Sequence, residues 1–173
     1  ELNKLARTEC EIPELKQMAL FSAVTGLRWS DIIKLKWSEI QHTKENGYYI
    51  QYTQKKTKGV EILPISEQAV DMLGLRGKPA DKVFPDIEYS AWLNMKLKLW
   101  IMKAAITKKI TFHNFRHTYA TLQLTAGTDI YTVSKLLGHR QLKTTQVYAK
   151  VIDKKKIEAA TKIKLDFTCD ENE

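Results

Sequence analysis

The stretch TFHNFRHTYATLQLTAG, residues 111–127, predicts one long helix over 112–126 that the following glycine ends. Residues three and four apart lie on the same face of a helix, so His113, Arg116 and His117 point the same way. An imidazole can move protons near neutral pH, and a guanidinium carries a fixed positive charge. This face of the helix is therefore a candidate reactive site.

A metal site is a second interpretation of the same face. His113 and His117 have the four-residue spacing of a zinc-binding helix. However, Asn114 stands where zinc proteases carry a glutamate, and the adjacent Arg116 opposes cation binding. We therefore expect no metal here. A partly buried structural histidine remains the main alternative, particularly for His117.

A tight connection between two helices lies near the start of the chain. Pro13 is typical of the first turn of a helix, and Gly26 is placed to end it. Ser30 is predicted to cap the next helix, so residues 25–29 join the two.

The connection presents Arg28. An arginine in such a loop can direct its guanidinium at a phosphate, with the N–H groups of the next helix nearby. The alternative is a surface arginine that pairs with Asp31 or Glu39.

Residues 48–65 predict a β-hairpin, because polar and apolar residues alternate on both sides of the turn Lys55-Lys56-Thr57-Lys58-Gly59. The lysines are either functional or part of a solvated turn. Helices are predicted for most of the remaining chain, which gives a mainly α fold with a small antiparallel β-sheet (α+β). Their ranges are 66–74, 89–105 (with Trp92, Leu93, Leu97, Trp100 and Ile101 on an apolar stripe), 129–137, 142–149 and 153–163.

Two further candidates follow the long helix. Gly138 ends a helix and leaves His139 at the break, and Tyr148 comes nine residues later. Alone, a tyrosine on an amphipathic helix usually packs. Together with the arginines and lysines, however, these residues supply what phosphoryl transfer needs: a nucleophile, positive charge for the non-bridging oxygens and an acid for the leaving oxygen.

Composition favours a polyanionic partner. The chain has 173 residues, a formal net charge of +8 and a pI near 9.4. Such an excess of Lys and Arg suits nucleic acid, although a merely soluble basic protein is the alternative.

Cys10 and Cys169 form no cysteine framework, and no apolar run approaches the ~20 residues that span a bilayer. With no signal peptide either, we expect a cytoplasmic chain with no membrane partner. It does not begin with Met, and we expect a fragment of a longer protein.

Taken in order, these motifs resemble the tyrosine recombinase family, of the phage lambda integrase type. The resemblance covers residues from about 12 to about 150. Its matches are Thr25-Gly26-Leu27-Arg28, the lysine turn leading to Leu63-Pro64-Ile65, His113-x-x-Arg116-His117, Leu137-Gly138-His139 and Tyr148.

The resemblance implies an enzyme that cleaves and rejoins DNA through a 3′-phosphotyrosine, with no metal, cofactor or ATP. Tyr148 is the implied nucleophile. Each other matched residue has an implied role: Arg28 and Arg116 hold the scissile phosphate, His113 acts as a base or positioner, Lys56 protonates the leaving 5′-oxygen, His139 hydrogen-bonds the phosphate, and Asp31 and His117 support the site. Lys55 and Lys58 remain alternatives to Lys56.

The resemblance also implies an architecture. We expect residues 1–173 to form a single catalytic domain with a core at 12–150, and the family's amino-terminal core-binding domain to be absent from this chain. Residues 151–173 are expected to form a helix and tail that dock on a neighbouring protomer or pack on their own domain. The expected partner is double-stranded DNA, bound by a homotetramer on paired sites, with a monomer in isolation. The motifs favour a bacterial mobile-element integrase that acts at the nucleoid.

Two other functions fit parts of the sequence. A type IB topoisomerase shares the phosphotyrosine chemistry and relaxes supercoiled DNA as a monomer, but the Gly-His before the tyrosine favours a recombinase. A non-catalytic, basic DNA-binding regulator could use the helices of residues 128–149. The intact set of candidate residues counts against it.

Overall fold

The computed structural model describes residues 1–53 and 60–148, which contain seven α-helices and one three-stranded sheet. This confirms the predicted mainly α fold with a small antiparallel sheet. None of the helices in these residues is long and apolar enough to cross a membrane. The helices are α1 (Leu2–Arg7), α2 (Pro13–Thr25), α3 (Trp29–Ile32), α4 (Glu67–Asp71), α5 (Ala91–Lys103), α6 (Phe112–Ala126) and α7 (Ile130–Leu136).

The sheet consists of β1 (Ile40–Thr43), β2 (Gly47–Thr53) and β3 (Val60–Pro64), which are antiparallel and adjacent in chain order. The predicted hairpin is therefore confirmed as β2 and β3. Its turn, with Lys55, Lys56 and Lys58, lies outside the described residues.

The first strand was not predicted, because β1 is short and has one buried apolar residue, Ile40. Ile40 pairs with Ile50, and Ile50 pairs with Leu63, so three buried side chains form a row across the sheet. This row attaches the sheet to the helical core, because it belongs to the same apolar cluster as the buried residues of α2.

The core is built around α2 and α6, which pack against each other. From α2, Leu15, Met18 and Phe21 are fully buried, and each contributes about 1.5–3 kcal/mol through the apolar surface removed from water. From α6, Phe115 and Ala120 are buried as well. The two helices therefore form a rigid base from which the loops after each of them project.

Helix ends mostly lie where the sequence predicts them. The bounds of α6 are as predicted, and Gly26, after α2, has the left-handed φ of 73° that favours glycine. Ser66 caps α4, because its hydroxyl accepts a hydrogen bond from the N–H of Ala69 at 3.2 Å. Asp129 caps α7 in the same way.

The predicted cap at Ser30 is wrong. The helix α3 begins two residues earlier, at Trp29, with Arg28 in the cap position. The carbonyl of Arg28 accepts the N–H groups of Asp31 and Ile32, each at 3.0 Å, and these bonds start the turn. Arg28 therefore sits directly at the beginning of a helix.

Two other local predictions are also wrong. Trp92, expected on the buried stripe of α5, is 56% exposed, because the neighbouring Leu93 and Leu97 face the core instead. In place of one short helix from 142, the structure has two 3₁₀ turns, Leu142–Thr144 and Gln146–Tyr148. The predicted helix over 153–163 lies outside the described residues.

Candidate active site

The start of α6 is fixed by reciprocal hydrogen bonds between Thr111 and Asn114. The Asn114 side chain accepts a hydrogen bond from the backbone N–H of Thr111 at 2.7 Å. Asn114, which occupies the position of a zinc-protease glutamate, therefore caps the helix. One turn of the helix brings the rings of His113 and His117 together edge to face, with 4.5 Å between their centroids.

Arg116 is buried, with only 4% of its surface exposed. Its Nη1 donates to the carbonyl of Gly26 and its Nη2 to the carbonyl of Leu137, each at 2.6 Å. Burial, followed by the positive charge of Arg28, lowers the pKa of Arg116 to about 10, so the guanidinium remains charged at neutral pH. Arg116 thus joins the loop before Arg28 to the helix end before His139.

Arg28 is more exposed, with 38% of its side chain accessible. The pair with Asp31 that the sequence offered as an alternative does form, with 3.7 Å between Nη1 and Oδ2. At this distance and exposure, such a pair contributes at most about 1 kcal/mol, so it orients Arg28 without immobilising it. Glu39, the other possible partner, instead accepts a hydrogen bond from the backbone N–H of Lys36.

The hydroxyl of Tyr148 lies 2.6 Å from Nδ1 of His117. Burial raises the pKa of Tyr148, with Arg116 opposing the change, and burial together with Arg116 lowers the pKa of His117. A neutral phenol therefore faces a neutral imidazole near pH 7. The family resemblance implied that His113 is the base or positioner. In the described part of the chain, the histidine in hydrogen-bonding distance of Tyr148 is His117.

His139 follows Gly138, which has a positive φ of 59°. Its backbone N–H donates to the carbonyl of Ser134 at 3.0 Å, and its Nδ1 lies 2.9 Å from the hydroxyl of Thr145. Burial, followed by the positive charges of Arg116 and Arg28, lowers the pKa of His139 to about 4. The ring is therefore neutral near pH 7. Thr145 was not singled out from the sequence, and its place six residues after His139 gives little signal.

The structure brings the predicted residues into one neighbourhood, because Arg28, His113 and His117 all act on the pKa of His139. A cavity of about 1190 Å³ opens beside this cluster, and Arg28, His113 and Arg116 line it together with the apolar face of α5. The predicted lysine, Lys56, lies outside the described residues. Within the residues described, no three His, Cys, Asp or Glu side chains are grouped so that they could hold a metal ion.

Basic side chains extend this cluster along the cavity. Lys98 on α5, and Lys108 and Lys109 in the connection to α6, line the same cavity. Lys108 also pairs with Glu1 at 2.9 Å, and both side chains are exposed. The site as a whole therefore combines a tyrosine, neutral imidazoles and several cations, which suits a phosphodiester.

Known proteins share sequence and fold with this chain. The tyrosine recombinase XerD of Lacticaseibacillus casei is 32% identical over 152 residues, which cover 78% of this chain and 50% of that protein. The catalytic domain of bacteriophage HP1 integrase superposes with a TM-score of 0.66 at 24% identity, covering 93% of this chain and 88% of that one. The XerH site-specific recombinase, solved bound to its palindromic difH substrate, gives a TM-score of 0.71 at 20% identity, covering 94% of this chain and 50% of that one.

These likenesses establish the fold. The chain spans about half the length of the XerD relative that it matches. The model of the phage integrase family matches residues 1–155, which include every described residue of the candidate site. This chain therefore belongs to the phage integrase family.

Proposed function

We propose that this chain is the catalytic domain of a site-specific DNA recombinase that cleaves and rejoins DNA through a 3′-phosphotyrosine at Tyr148. The hydrogen bond between the Tyr148 hydroxyl and Nδ1 of His117, beside Arg116, carries this proposal. A tyrosine hydroxyl has an unperturbed pKa of about 10 and is a weak nucleophile until a base takes its proton. His117 is placed to accept that proton.

In the cleavage step, the Tyr148 oxygen forms a bond to phosphorus and the bond from phosphorus to the 5′-oxygen breaks. The phenolic proton passes to Nδ1 of His117, which is neutral because burial lowers its pKa. On the family resemblance, Lys56 gives the proton that the leaving 5′-oxygen needs. In rejoining, a 5′-hydroxyl attacks the phosphotyrosine and restores Tyr148. The covalent bond preserves the energy of the phosphodiester, so we propose that no ATP is consumed.

Negative charge grows on the non-bridging oxygens during this transfer, and the two arginines can offset it. Arg28 is exposed enough to reach a phosphate. Arg116 uses two N–H groups for the carbonyls of Gly26 and Leu137 and can direct its remaining N–H groups at the substrate. Since the two guanidinium groups supply the positive charge that a metal ion would otherwise provide, we propose that the reaction needs no metal or other cofactor.

The remaining residues have supporting roles in this proposal. His113 packs against the ring of His117 and positions it. Asp31 orients Arg28 through the ion pair between them. His139 donates a hydrogen bond to a non-bridging oxygen.

Double-stranded DNA is the proposed partner. The formal charge of +8 and the lysines along the cavity suit a phosphate backbone, and XerH, which shares this fold, was solved on DNA. We propose that residues 1–173 form one catalytic domain that is monomeric alone and tetrameric on paired sites. Residues 151–173, outside the described part, are the candidate contact with a neighbouring protomer. Because its relatives include a phage integrase and a transposon transposase, we propose that the chain comes from an integrase of a bacterial mobile element.

A nicked suicide DNA duplex tests the proposal. It carries the recombination site that flanks the gene, and cleavage traps the protein because the 5′-hydroxyl fragment diffuses away. We expect a protein–DNA adduct that survives denaturation, formed by this chain or by a longer natural form of the protein, and absent in Tyr148→Phe. Tyr131→Phe is the matched control, since Tyr131 is 60% exposed on α7. It should react like the wild type.

Other results would point to other functions. Adduct formation on every duplex regardless of its sequence, together with relaxation of supercoiled plasmid by the monomer, would indicate a topoisomerase. DNA binding with no adduct on any substrate, in the longer form as well, would overturn the proposal and leave a DNA-binding regulator.

A further inference from the structure

Thr145 contacts both His139 and Tyr148. Its side chain is fully buried, with 0% exposure. Its hydroxyl lies 2.9 Å from Nδ1 of His139, and its backbone carbonyl accepts the N–H of Tyr148 at 3.1 Å. A buried polar side chain at this junction requires a partner, because an unpaired buried hydroxyl costs about 1–3 kcal/mol.

The single hydroxyl proton decides the direction of the hydrogen bond. If His139 carried its proton on Nδ1, the ring would donate to the Thr145 oxygen, and the Thr145 hydroxyl would have no acceptor among the described residues. If the hydroxyl donates to Nδ1 instead, both groups are satisfied. The second arrangement places the proton of the neutral ring on Nε2.

We propose that Thr145 is a positioning residue that holds His139 in the tautomer with its proton on Nε2, so that the ring can donate to a non-bridging phosphate oxygen. This inference rests on the proposed function, because the phosphate belongs to the DNA substrate. Nε2 has no hydrogen-bond partner within the residues that the structure describes. The opposite tautomer would present a lone pair to the phosphate and repel it.

Burial and the positive charges around His139 keep its ring neutral, so its tautomer determines which nitrogen can donate a hydrogen bond. A doubly protonated histidine donates from both nitrogens whatever its neighbours do. The ring of His139 is neutral near pH 7, since burial and two arginines lower its pKa to about 4. It can therefore donate from one nitrogen only, and its hydrogen-bond partner selects which one.

Nitrogen-15 NMR of the imidazole rings in the 173-residue chain without DNA tests the tautomer directly. The chain has four histidines, so His139→Gln assigns the signal. We expect the wild type to carry its proton on Nε2, with an Nδ1 resonance shifted by an accepted hydrogen bond. In Thr145→Val this shift should disappear, and in Thr145→Ser it should remain. A proton on Nδ1 in the wild type, or an unchanged His139 spectrum in the valine variant, would overturn the inference.

The suicide-substrate reaction provides the second readout. We expect Thr145→Val to form the adduct about 10- to 100-fold more slowly than the wild type. Losses of about this size are seen in metal sites when the residue that fixes the tautomer of a ligating histidine is removed. Thr145→Ser should retain most of the wild-type rate. Equal rates of adduct formation by Thr145→Val and the wild type would exclude a positioning role for Thr145, even if the tautomer of His139 is as expected. A wild type that forms no adduct on any substrate, in the longer natural form as well, refutes the proposed function, whereas the NMR result stands apart from it. If the valine variant does not fold, the wild-type tautomer and the serine variant still decide.

Discussion

His113 and His117 lie one turn apart on α6, and their environments differ. Nδ1 of His117 is 2.6 Å from the Tyr148 hydroxyl, whereas His113 is exposed and contacts the ring of His117. Partial removal of each ring from water is the largest cause of the lowered pKa of both residues, so both are neutral near pH 7. The position of the tyrosine therefore distinguishes them.

Replacing each histidine separately tests this assignment. We expect His117→Ala to slow adduct formation by about 100- to 10,000-fold, the range for loss of a general acid–base group. His113→Ala should have a smaller effect, because it removes only a packing neighbour of the base. Initial rates on the suicide duplex measure both, with His42→Ala on β1 as a control. A larger loss for His113→Ala would assign the base role to His113.

Three elements meet at Arg116: the end of α2, the second turn of α6 and the end of α7. Arg116 bridges the carbonyls of Gly26 and Leu137, and the ring of Tyr119 lies directly over Gly26. A Cβ atom on Gly26 would lie 2.6 Å from Cδ1 of Tyr119 and 3.0 Å from Cδ2 of Leu137. The loops that carry Arg28 and His139 are therefore held by one close-packed junction.

Gly26→Ala should disturb this junction strongly. We expect a loss of about 2–5 kcal/mol in the free energy of unfolding, from the left-handed backbone and from overpacking against Tyr119. Gly74→Ala is a matched control, because Gly74 has the same φ of 73° and no atom within 4 Å of the added Cβ. It should cost only about 1–2 kcal/mol. Urea unfolding measures both. Equal losses would show that the close contact contributes nothing.

The fold partly removes three of the histidines, His113, His117 and His139, from water and places them among positive charges, and both effects disfavour their protonation. The pKa values of His113, His117 and His139 are all lowered, that of His139 to about 4. Between this value and the unperturbed histidine pKa of about 6.5, the unfolded chain binds protons that the folded chain does not. The resulting stability is fully present above pH 6.5 or so and is lost as the pH falls toward 4.

Acid should therefore destabilise the wild type more than a variant without His139. We expect the unfolding temperature to fall between about pH 7 and about pH 4.5, and to fall less in His139→Gln, because glutamine takes up no proton. Circular dichroism melts at both pH values give the difference for each protein. Carboxylates contribute equally to both proteins, so identical decreases would contradict the lowered pKa of His139.

Local sequence alone determined much of the fold. Helix α6 was predictable to the residue, because its apolar spacing, its length and the glycine after it agree. The hairpin of β2 and β3 followed from alternation, and the spacing of His113, Arg116 and His117 put them on one face. These features depend on neighbours within a few residues along the chain.

Contacts between distant residues decided the rest. The strand β1 exists because Ile40 pairs with Ile50, and Trp92 is exposed because its neighbours Leu93 and Leu97 face the core. In the site, the sequence determined which residue types are present, but packing placed Tyr148 against His117. Arg116 acquired its two carbonyl partners 90 and 21 residues away along the chain. Periodicity reports which face of an element is apolar, whereas the partner of a side chain depends on how the elements pack together in space.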